Sequence, residues 1–241
     1  MGTNKSILKL SIYCIIIFFT FSCNTKSKTD IDDSKPLLTL GDTISDIDNN
    51  IYHTIKVGSQ LWMIENLSVN RFINGDTIPE AKTKEEWERM GKESKPAWCY
   101  YNNEPDSGKK CGKLYNWYAV TDKRGLAPEG WQVPSDSNWT QLTDSLGGEN
   151  VAGTIRKATD EKNKKDTLRI GFSNVLGGYR YSNGNFRYID SIGNWWSNTE
   201  INNNAAWYRG LYNKSVNIER NVNCNKQNGL SVRCFRIIKK K

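Results

Sequence analysis

Apolar side chains dominate the chain from Ile7 to Phe21, and no charged residue occurs between Lys9 and Lys26. The apolar run is about fifteen residues long, which is fewer than the roughly 20 that a membrane-spanning helix needs. A short, positively charged start followed by an apolar run of this length is typical of a secretory signal peptide. The pattern therefore predicts that residues 1–22 direct export and are then removed.

The apolar run ends in Thr20-Phe21-Ser22-Cys23, which resembles a bacterial lipobox, in which a small residue directly precedes a cysteine. In lipoproteins of that type the cysteine becomes the acylated first residue of the mature chain. The resemblance implies that Cys23 carries the lipid and attaches the mature protein to a membrane. The alternative is an ordinary signal peptide that is cleaved near Ser22.

Polar residues dominate residues 23–50, which hold many Asp, Ser, Thr, Lys and Asn side chains and few large apolar ones. A segment of this composition buries too little apolar surface to fold by itself, so we predict a flexible tether there. All nine tryptophans lie between Trp62 and Trp207. The rise in aromatic density from residue 51 onward predicts one compact domain over residues 51–238.

A β-hairpin is predicted at the start of this domain. Apolar residues alternate with polar ones at Ile51, Ile55 and Val57, as they do in a half-buried strand. The Gly58-Ser59 pair that follows is a two-residue hairpin signal. His53 shares the apolar positions of the strand, so we expect a packed histidine rather than a catalytic one.

Three segments carry apolar residues at helical spacing, namely residues 83–90, 112–120 and 134–148. The first begins with a capping box that runs from Thr83 to Glu86. The third begins at Ser135 and ends before Gly147. The helices are therefore expected in the first half of the domain.

After Gly171 the sequence changes to short β-branched and aromatic segments that are separated by Gly and Asn. Because the helices come early and the antiparallel strands late, this order predicts an α+β fold that is rich in loops. The predicted strands are residues 172–176, 178–181, 185–189, 194–197, 205–211, 215–218 and 230–238.

The net charge is too small and too dispersed to indicate a nucleic-acid partner. The formal charge is +8, and loss of Lys5 and Lys9 with the signal peptide lowers it to +6. Lysines cluster only at residues 162–165 and 239–241, and such runs are usually solvated. We therefore expect no nucleic acid to bind.

Four of the six cysteines are left once Cys14 is removed with the signal peptide and Cys23 takes the lipid. An even number of cysteines in an exported chain predicts two disulfides. No pair has the two-residue spacing of a zinc site and the chain has one histidine, so we expect no metal and no cofactor. The candidates for the disulfides are Cys99, Cys111, Cys224 and Cys234.

The domain resembles the Fibrobacter succinogenes major paralogous domain over about residues 51–238. The segments that carry the resemblance are Leu114–Val120, Leu126–Asp136, Trp139, Gly171–Ser173, Gly177–Arg180, Trp195–Glu200 and Gly229–Cys234. That family occurs in exported proteins and lipoproteins of Bacteroidetes and Fibrobacteres. It has no established biochemical activity, so the resemblance implies location and architecture rather than chemistry.

A more distant resemblance concerns the fold. The segment Val133-Pro134-Ser135-Asp136, followed by Trp139, is similar to a helix start in formylglycine-generating-enzyme domains. Those domains have a C-type-lectin-like fold, so the resemblance implies a single domain of that kind. A shared fold licenses no function by itself.

The family resemblance also bears on the disulfides. In the family, cysteine is usual at the positions of Cys99 and Cys234, whereas Cys111 and Cys224 stand where other residues are usual. The resemblance therefore implies the pairs Cys99–Cys234 and Cys111–Cys224. The local pairs Cys99–Cys111 and Cys224–Cys234 stay open, because four cysteines allow three pairings.

No group of residues in the sequence indicates catalysis. A nucleophilic enzyme needs a base beside its nucleophile, and His53 on a strand face is a poor candidate. A glycosidase needs two carboxylates at a defined separation. Nothing in the sequence spacing of Asp190 and Glu200 indicates that their side chains are brought together. We therefore expect no enzyme and no catalytic residue, and a hydrolase ranks third among the possible functions.

Two pairs of adjacent aromatic residues suggest a binding surface. Neighbours on a strand point to opposite faces, so one ring of Trp195-Trp196 and one of Trp207-Tyr208 could be exposed. An exposed ring offers a platform for the apolar face of a sugar, and Asn203 could add hydrogen bonds. We predict a domain that binds a glycan or a surface protein at these five residues. The alternative is a structural envelope component in which all the rings are packed.

The location follows from the predicted anchor. A lipid on Cys23 predicts attachment to the outer membrane. Acidic residues close to the cysteine would favour export to the cell surface, but Asp30, Asp32 and Asp33 come late for such a signal. The surface and the periplasmic face of the outer membrane therefore both stay open.

The anchor can be tested by the substitution Cys23→Ala. The variant removes the thiol that would carry the acyl chains, so labelling of cells with a radioactive fatty acid is expected to leave the protein unlabelled. Incorporation of the label into the Cys23→Ala variant at the wild-type level would contradict the anchor. The Cys14→Ala variant is the control, because that cysteine is predicted to leave with the signal peptide.

Overall fold

The computed structural model describes residues 39–149, 175–213, 215 and 217–238. Within these residues the chain combines four helices with eleven strands in three sheets, which confirms the predicted α+β class. The predicted signal peptide, Cys23 and the first part of the predicted tether lie outside the described residues. In the described part of the chain, no helix is long and apolar enough to cross a bilayer.

The elements have the following bounds. The strands are β1 (Thr39–Ser45), β2 (Ile51–Val57), β3 (Gln60–Met63), β4 (Trp98–Cys99), β5 (Leu114–Tyr115), β6 (Gly177–Arg180), β7 (Phe186–Ile189), β8 (Ile192–Asn202), β9 (Ala205–Tyr212), β10 (Ile218–Asn225) and β11 (Phe235–Ile237). The helices are α1 (Lys84–Lys92), α2 (Pro105–Cys111), α3 (Trp117–Val120) and α4 (Asp136–Ser145), and a short 3₁₀ turn spans Tyr101–Asn103.

The first sheet brings together both ends of the domain. Its four strands lie in the order β1-β2-β3-β11, and each neighbouring pair is antiparallel. The β2–β3 hairpin turns at Gly58-Ser59 as predicted, and Gly58 takes a φ of +58°, which glycine adopts without strain. Strand β1 lies within residues 23–50, which the composition predicts to be a tether. The folded part of the chain therefore includes residues before residue 51.

The second sheet contains five of the later strands, in the order β10-β9-β8-β6-β7. Strand β8 is central and pairs with β9 in an antiparallel register that places Trp195 opposite Arg209 and Trp196 opposite Tyr208. Strand β6 joins the other edge of β8 in a parallel direction through Gly178 and Gly193. The third sheet is the short pair β4–β5.

Most late strands lie where the sequence predicts them. The predicted strands at residues 178–181, 185–189, 194–197 and 205–211 correspond to β6, β7, β8 and β9. The prediction at residues 215–218 is displaced, because β10 begins at Ile218. The prediction at residues 230–238 is too long, because only Phe235–Ile237 forms a regular strand there. Residues 172–174 of the first predicted strand lie outside the described residues.

Two predicted helices form as expected and one does not. Helix α1 has the predicted capping box, in which Thr83 and Glu86 cap each other's backbone N–H. Helix α4 has a second capping box between Ser135 and Asn138. The predicted helix at residues 112–120 is wrong over its first half, because Leu114–Tyr115 forms β5. Asn116 then caps the single helical turn of α3.

A hydrophobic core lies on each side of β8. Trp196 packs in a core with residues of β2, β3 and β5, and its indole N–H donates to the Tyr115 carbonyl at 2.8 Å. Trp195 packs in a second core with α4 and the end of β9, and its indole N–H donates to Asn66 Oδ1 at 2.8 Å. The two adjacent tryptophans therefore connect β8 to both cores.

His53 does not occupy the buried position that its strand pattern predicts. It shares a face of β2 with Ile55 and Val57, but the second core covers only those two side chains. The imidazole is exposed to solvent and lies 2.7 Å from Glu65 Oε1. The prediction of a packed histidine is therefore wrong, since the apolar alternation continues past the edge of the core.

Asn66 lies at the centre of a buried polar network. Its side-chain N–H groups donate to the Cys111 carbonyl at 2.9 Å and to Ser231 Oγ at 3.2 Å. Its Oδ1 accepts from Trp195 and, at 3.0 Å, from the guanidinium of Arg233. Burial lowers the pKa of Arg233 to about 9, so this buried cation depends on its acceptors. One amide thus joins the end of α2, β8 and the C-terminal segment.

The substitution Asn66→Ala is expected to lower the free energy of unfolding by about 3 kcal/mol or more, because several buried polar groups lose a partner. Denaturant unfolding measures the change. The control is Asn203→Ala, since that side chain is exposed. Equal stability of the two variants would contradict the role of Asn66.

Candidate functional site

The predicted platform on Trp195-Trp196 does not exist. Both rings have no exposed surface, because β8 has a core on each side and each indole N–H is bonded inside. The expectation that one of the two rings faces solvent is therefore wrong. Two adjacent rings on opposite faces of a strand are both buried when both faces are covered.

The second predicted pair is also largely packed. Trp207 is half-buried beneath the guanidinium of Arg220, which lies 4.0 Å from the centre of the indole ring. The same guanidinium donates a hydrogen bond to Asp136. Tyr208 is half-buried against the first core. Asn203 is exposed, and its backbone carbonyl accepts from Lys226 at 3.1 Å. These residues do not form a continuous ring platform.

Tyrosines, not tryptophans, form the exposed aromatic surface. All the tryptophans except Trp207 are buried, as expected for a structural component in which the aromatic rings are packed. Tyr181, Tyr188 and Tyr212 expose 37%, 50% and 41% of their surface. Tyr181 follows β6, Tyr188 is on β7 and Tyr212 ends β9, so all three belong to the second sheet.

Tyr179 joins these exposed rings into a cluster. Its hydroxyl donates to the Tyr181 hydroxyl at 2.8 Å, and the two rings meet edge-to-face with centres 4.9 Å apart. The ring of Tyr188 lies 5.8 Å from that of Tyr179. These spacings are within the range of favourable aromatic contacts. The tyrosine cluster therefore consists of Tyr179, Tyr181 and Tyr188, and Tyr212 is the exposed ring at the end of β9.

The backbone of Tyr188 is held in a conformation that tyrosine rarely adopts. Its φ is +64°, in the left-handed region, and Asp190 nearby has a φ of +59°. A bulky residue in this region costs roughly 1–3 kcal/mol, and such strain often occurs at functional sites. The strain is thus located at the most exposed ring of the cluster.

Beside the tyrosine cluster, six residues of the same sheet share one face, and this set of residues is called the slot. Gly210 is two residues from both Tyr208 and Tyr212 on β9, so all three share a face. Asn194 on β8 and Glu219 on β10 are paired opposite Gly210, one on each side. Asn221 is paired opposite Tyr208. The slot residues are Asn194, Tyr208, Gly210, Tyr212, Glu219 and Asn221.

The amide of Asn194 is the unusual group in this slot. The residue exposes only 9% of its surface, yet no described residue forms a hydrogen bond with its side chain. Its Oδ1 lies 3.2 Å from where a β-carbon on Gly210 would be. Buried side-chain amides nearly always have a partner in the protein or in ordered water. The Asn194 amide is not one of the fully enclosed polar groups that lack a partner, so solvent reaches it and it can bond to water or to a ligand.

The hydroxyl groups near the slot are neutral at physiological pH. Burial raises the pKa of Tyr208 to about 12. Burial also raises the pKa of Tyr179 and, with Glu219 adding to the effect, that of Tyr212. All three phenols therefore keep their protons and remain able to donate hydrogen bonds.

The carboxylates that the sequence offers for hydrolysis are far apart. Asp190 is bonded to Lys110 at 2.6 Å, whereas Glu200 is bonded to Lys226. Along β8 the distance from Ile192 to Glu200 alone is roughly 25 Å, well beyond the roughly 10 Å that a glycosidase pair allows. Within the described ranges, no group of three or more metal-binding side chains occurs.

The predicted disulfides are not present. All four cysteines are free and buried. Cys99 packs in a small core with α1, whereas Cys224 and Cys234 pack in the first core. Burial raises the pKa of the Cys99 and Cys224 thiols to about 12, so these are unreactive side chains.

An open groove of about 560 Å³ lies elsewhere, along residues 120–133. Two of its polar side chains already have partners inside the protein. Asn198 donates to the Val133 carbonyl at 3.0 Å, and Asp122 pairs with Arg124 at 2.8 Å. No exposed aromatic ring is among the described residues that line the groove, whereas Tyr181, Tyr188 and Tyr212 are exposed on the second sheet, so the slot with its tyrosine cluster is the better candidate.

The sequence contains a pattern that points to this site, although the prediction was made for the adjacent aromatic pairs that contain tryptophan. Five of the eleven tyrosines of the chain occur between residues 179 and 212. Alternation along β9 also places Tyr208, Gly210 and Tyr212 on one face. Sequence alone, however, does not tell which face of a central strand is left uncovered.

The comparisons with known proteins give one finding. The family model described as the Fibrobacter succinogenes major domain matches residues 55–236, which is more than half of the chain. The search of curated proteins gives no match. The matched range includes the tyrosine cluster and the slot.

Proposed function

The chain belongs to the Fibrobacter succinogenes major domain family, and from that premise we propose that it is an exported lipoprotein whose domain binds an extracellular glycan. The ligand is held on the open face of the second sheet, at the tyrosine cluster and the slot. The proposal assigns no catalytic residue and needs no metal or cofactor.

The observation that carries this proposal is the exposure of three tyrosines beside an available amide. Sugar rings have apolar C–H faces that pack against aromatic rings, and their hydroxyls hydrogen-bond to amides and carboxylates. Tyr188 supplies such a ring, while Asn194 and Glu219 supply the polar groups. A surface protein is a weaker candidate, because the site is an array of separate polar groups rather than a large apolar patch.

A structural role without a ligand is the alternative. It accounts for the packing of the tryptophans, since those rings build the cores. It does not account for the strained, exposed Tyr188, because backbone strain lowers stability when nothing binds. This feature favours binding.

The anchor and the location form part of the same proposal. Cys23 carries the lipid, and residues 24–38 link it to β1 on the outer membrane. A tethered domain of this kind can hold a polysaccharide or a cell-surface glycan near the membrane. The folded part of the chain has no membrane-spanning helix among its described residues, which is compatible with attachment by lipid alone.

We also propose that the domain is C-type-lectin-like. What supports this is the connectivity, because β1, β2, β3 and β11 share one sheet although about 170 residues separate β3 from β11. The second sheet thus lies in a long excursion between them. The binding site would be part of that excursion.

A glycan microarray tests the proposed function. The full-length protein, solubilised in detergent, is expected to bind at least one oligosaccharide on an array of neutral and acidic glycans. Tyr188→Ala and Tyr212→Ala should each weaken that binding at least about tenfold, as loss of a central aromatic contact usually does.

The matched control is Ile73→Ala, because Ile73 is 45% exposed but lies outside the tyrosine cluster and the slot. This variant should bind like the wild type. Lack of binding to every glycan would refute the proposal, and so would binding that is unaffected by either tyrosine substitution.

A further inference from the structure

We infer that Lys113 and Asn70 form an intramolecular isopeptide bond, a covalent amide that joins the two side chains inside the folded domain. The two residues lie 43 positions apart in the chain. The domain itself supplies every group that the reaction needs, so the bond forms without a second protein. Neither residue belongs to the tyrosine cluster or the slot, and the inference therefore does not depend on glycan binding.

The two side chains are already in contact. Lys113 Nζ lies 2.5 Å from Asn70 Oδ1. The side-chain carbon of this amide is one C=O bond, about 1.2 Å, from the oxygen, so the amine lies within about 3.7 Å of the carbon that it must attack. Reacting atoms held roughly 3–3.5 Å apart are close to the geometry of attack. The pair is therefore positioned for a bond between Nζ and that carbon.

The backbone holds the two partners against each other. The Lys113 N–H donates to the Leu67 carbonyl at 3.1 Å, and the Tyr115 hydroxyl donates to the Val69 carbonyl at 2.7 Å. These two bonds fix the segment that ends in Asn70 against the start of β5. Because the fold brings the amine and the amide together in advance, the reaction loses little further entropy.

The surroundings of Lys113 make its amine a nucleophile. The residue exposes only 2% of its surface, and Nζ lies 4.2 Å from the centre of the Trp98 ring and 5.5 Å from that of Tyr100. Burial lowers the pKa of Lys113 to about 8, which increases the neutral fraction at physiological pH. Only the neutral amine has a lone pair for attack, and desolvation is one way in which proteins activate lysine.

Asp48 is the carboxylate placed to transfer the proton. Its charge acts on Lys113 more strongly than that of any other carboxylate, and it accepts a hydrogen bond from the backbone N–H of Asn70. Burial of Asp48 opposes ionisation, but the hydrogen bonds from Asn70 and Arg71 outweigh it and lower the pKa of the carboxyl. Asp48 is therefore ionised and able to accept a proton beside the reacting amide.

The reaction exchanges one amide for another. The lone pair of Nζ forms a bond to the side-chain carbon of Asn70, while the π electrons of the C=O bond move to Oδ1. Asp48 takes one proton from the attacking nitrogen and passes it to Nδ2 of Asn70. The bond from the carbon to Nδ2 then breaks, the C=O bond forms again and ammonia leaves. One amine and one primary amide thus give one secondary amide and one ammonia molecule, with no further reactant.

The cross-link takes the place of the expected disulfides. All four cysteines in the described part of the chain are free, so no disulfide restrains the domain there. An isopeptide bond closes the loop from residue 70 to residue 113 and restrains the unfolded chain, as a disulfide does. Unlike a disulfide, it is not broken by thiols.

Peptide mapping of the full-length protein, purified in detergent, tests the inference. Trypsin cleaves after unmodified lysine and arginine but not after an acylated lysine. The expected product is residues 57–71 joined to residues 111–123, lighter than the two peptides together by the mass of one ammonia molecule. Fragmentation should locate the link at Asn70 and Lys113. Cleavage after Lys113 in the wild type, with the two peptides separate, would overturn the inference.

Variants test the role of each group. Lys113→Arg and Asn70→Ala should each give separate peptides, because each removes one reacting group. Lys92→Arg is the matched control, since that side chain is 72% exposed, and it should keep the linked pair. Asp48→Asn should lower the linked fraction about tenfold or more, and Asp48→Glu should restore part of it. A linked fraction in Asp48→Asn equal to that of the wild type would contradict the proton transfer.

A denaturing gel run with reductant gives a second readout that needs no folded variant. The wild-type chain should migrate faster than Lys113→Arg, because its loop from residue 70 to residue 113 stays closed after unfolding. Equal migration of the two chains would overturn the cross-link. The glycan array is read independently, so failure of the cross-link leaves the proposed function standing.

Discussion

Strand β8 has a hydrophobic core on each of its two faces, and the rest of the domain is arranged around this constraint. Trp195 and Trp196 are adjacent, so they must enter different cores, and each indole N–H must find an acceptor there. Asn66 and the Tyr115 carbonyl are these acceptors. The network around Asn66 then joins α2, β8 and the C-terminal segment. The first core ends part of the way along β8, and beyond that edge Tyr188 and Tyr212 of the second sheet are exposed.

The candidate site lies at this edge. Trp196 and Tyr208 are opposite each other at the covered end, Asn194 and Gly210 follow at the boundary, and Tyr212 lies at the open end. The same alternation that buries Trp196 thus places a polar amide and a glycine where the cover stops. An amide at that position is mostly enclosed by its neighbours and still reachable from solvent.

Much of the fold could be predicted from local patterns, whereas the site could not. The capping box at Thr83, the helix start at Ser135 and the turn at Gly58 are encoded by a few adjacent residues, and they form as predicted. The position of His53 and the burial of both Trp195 and Trp196 depend on how far each core extends, which is a tertiary property. For the same reason the exposed aromatic surface was expected on tryptophans and is found on tyrosines. The family match agrees with the motifs that carry the resemblance, since these are read directly from the sequence.

The central claim is that the Asn194 amide bonds to a ligand. The side-chain ¹H–¹⁵N resonances of Asn194 can be assigned because they are absent from the spectrum of an Asn194→Asp variant. They are then followed by NMR while a neutral oligosaccharide that binds on the glycan array is added to the protein. The account predicts that these resonances shift more than those of any other side-chain amide and saturate together with binding. Resonances of Asn194 that stay unchanged while the oligosaccharide binds would contradict it.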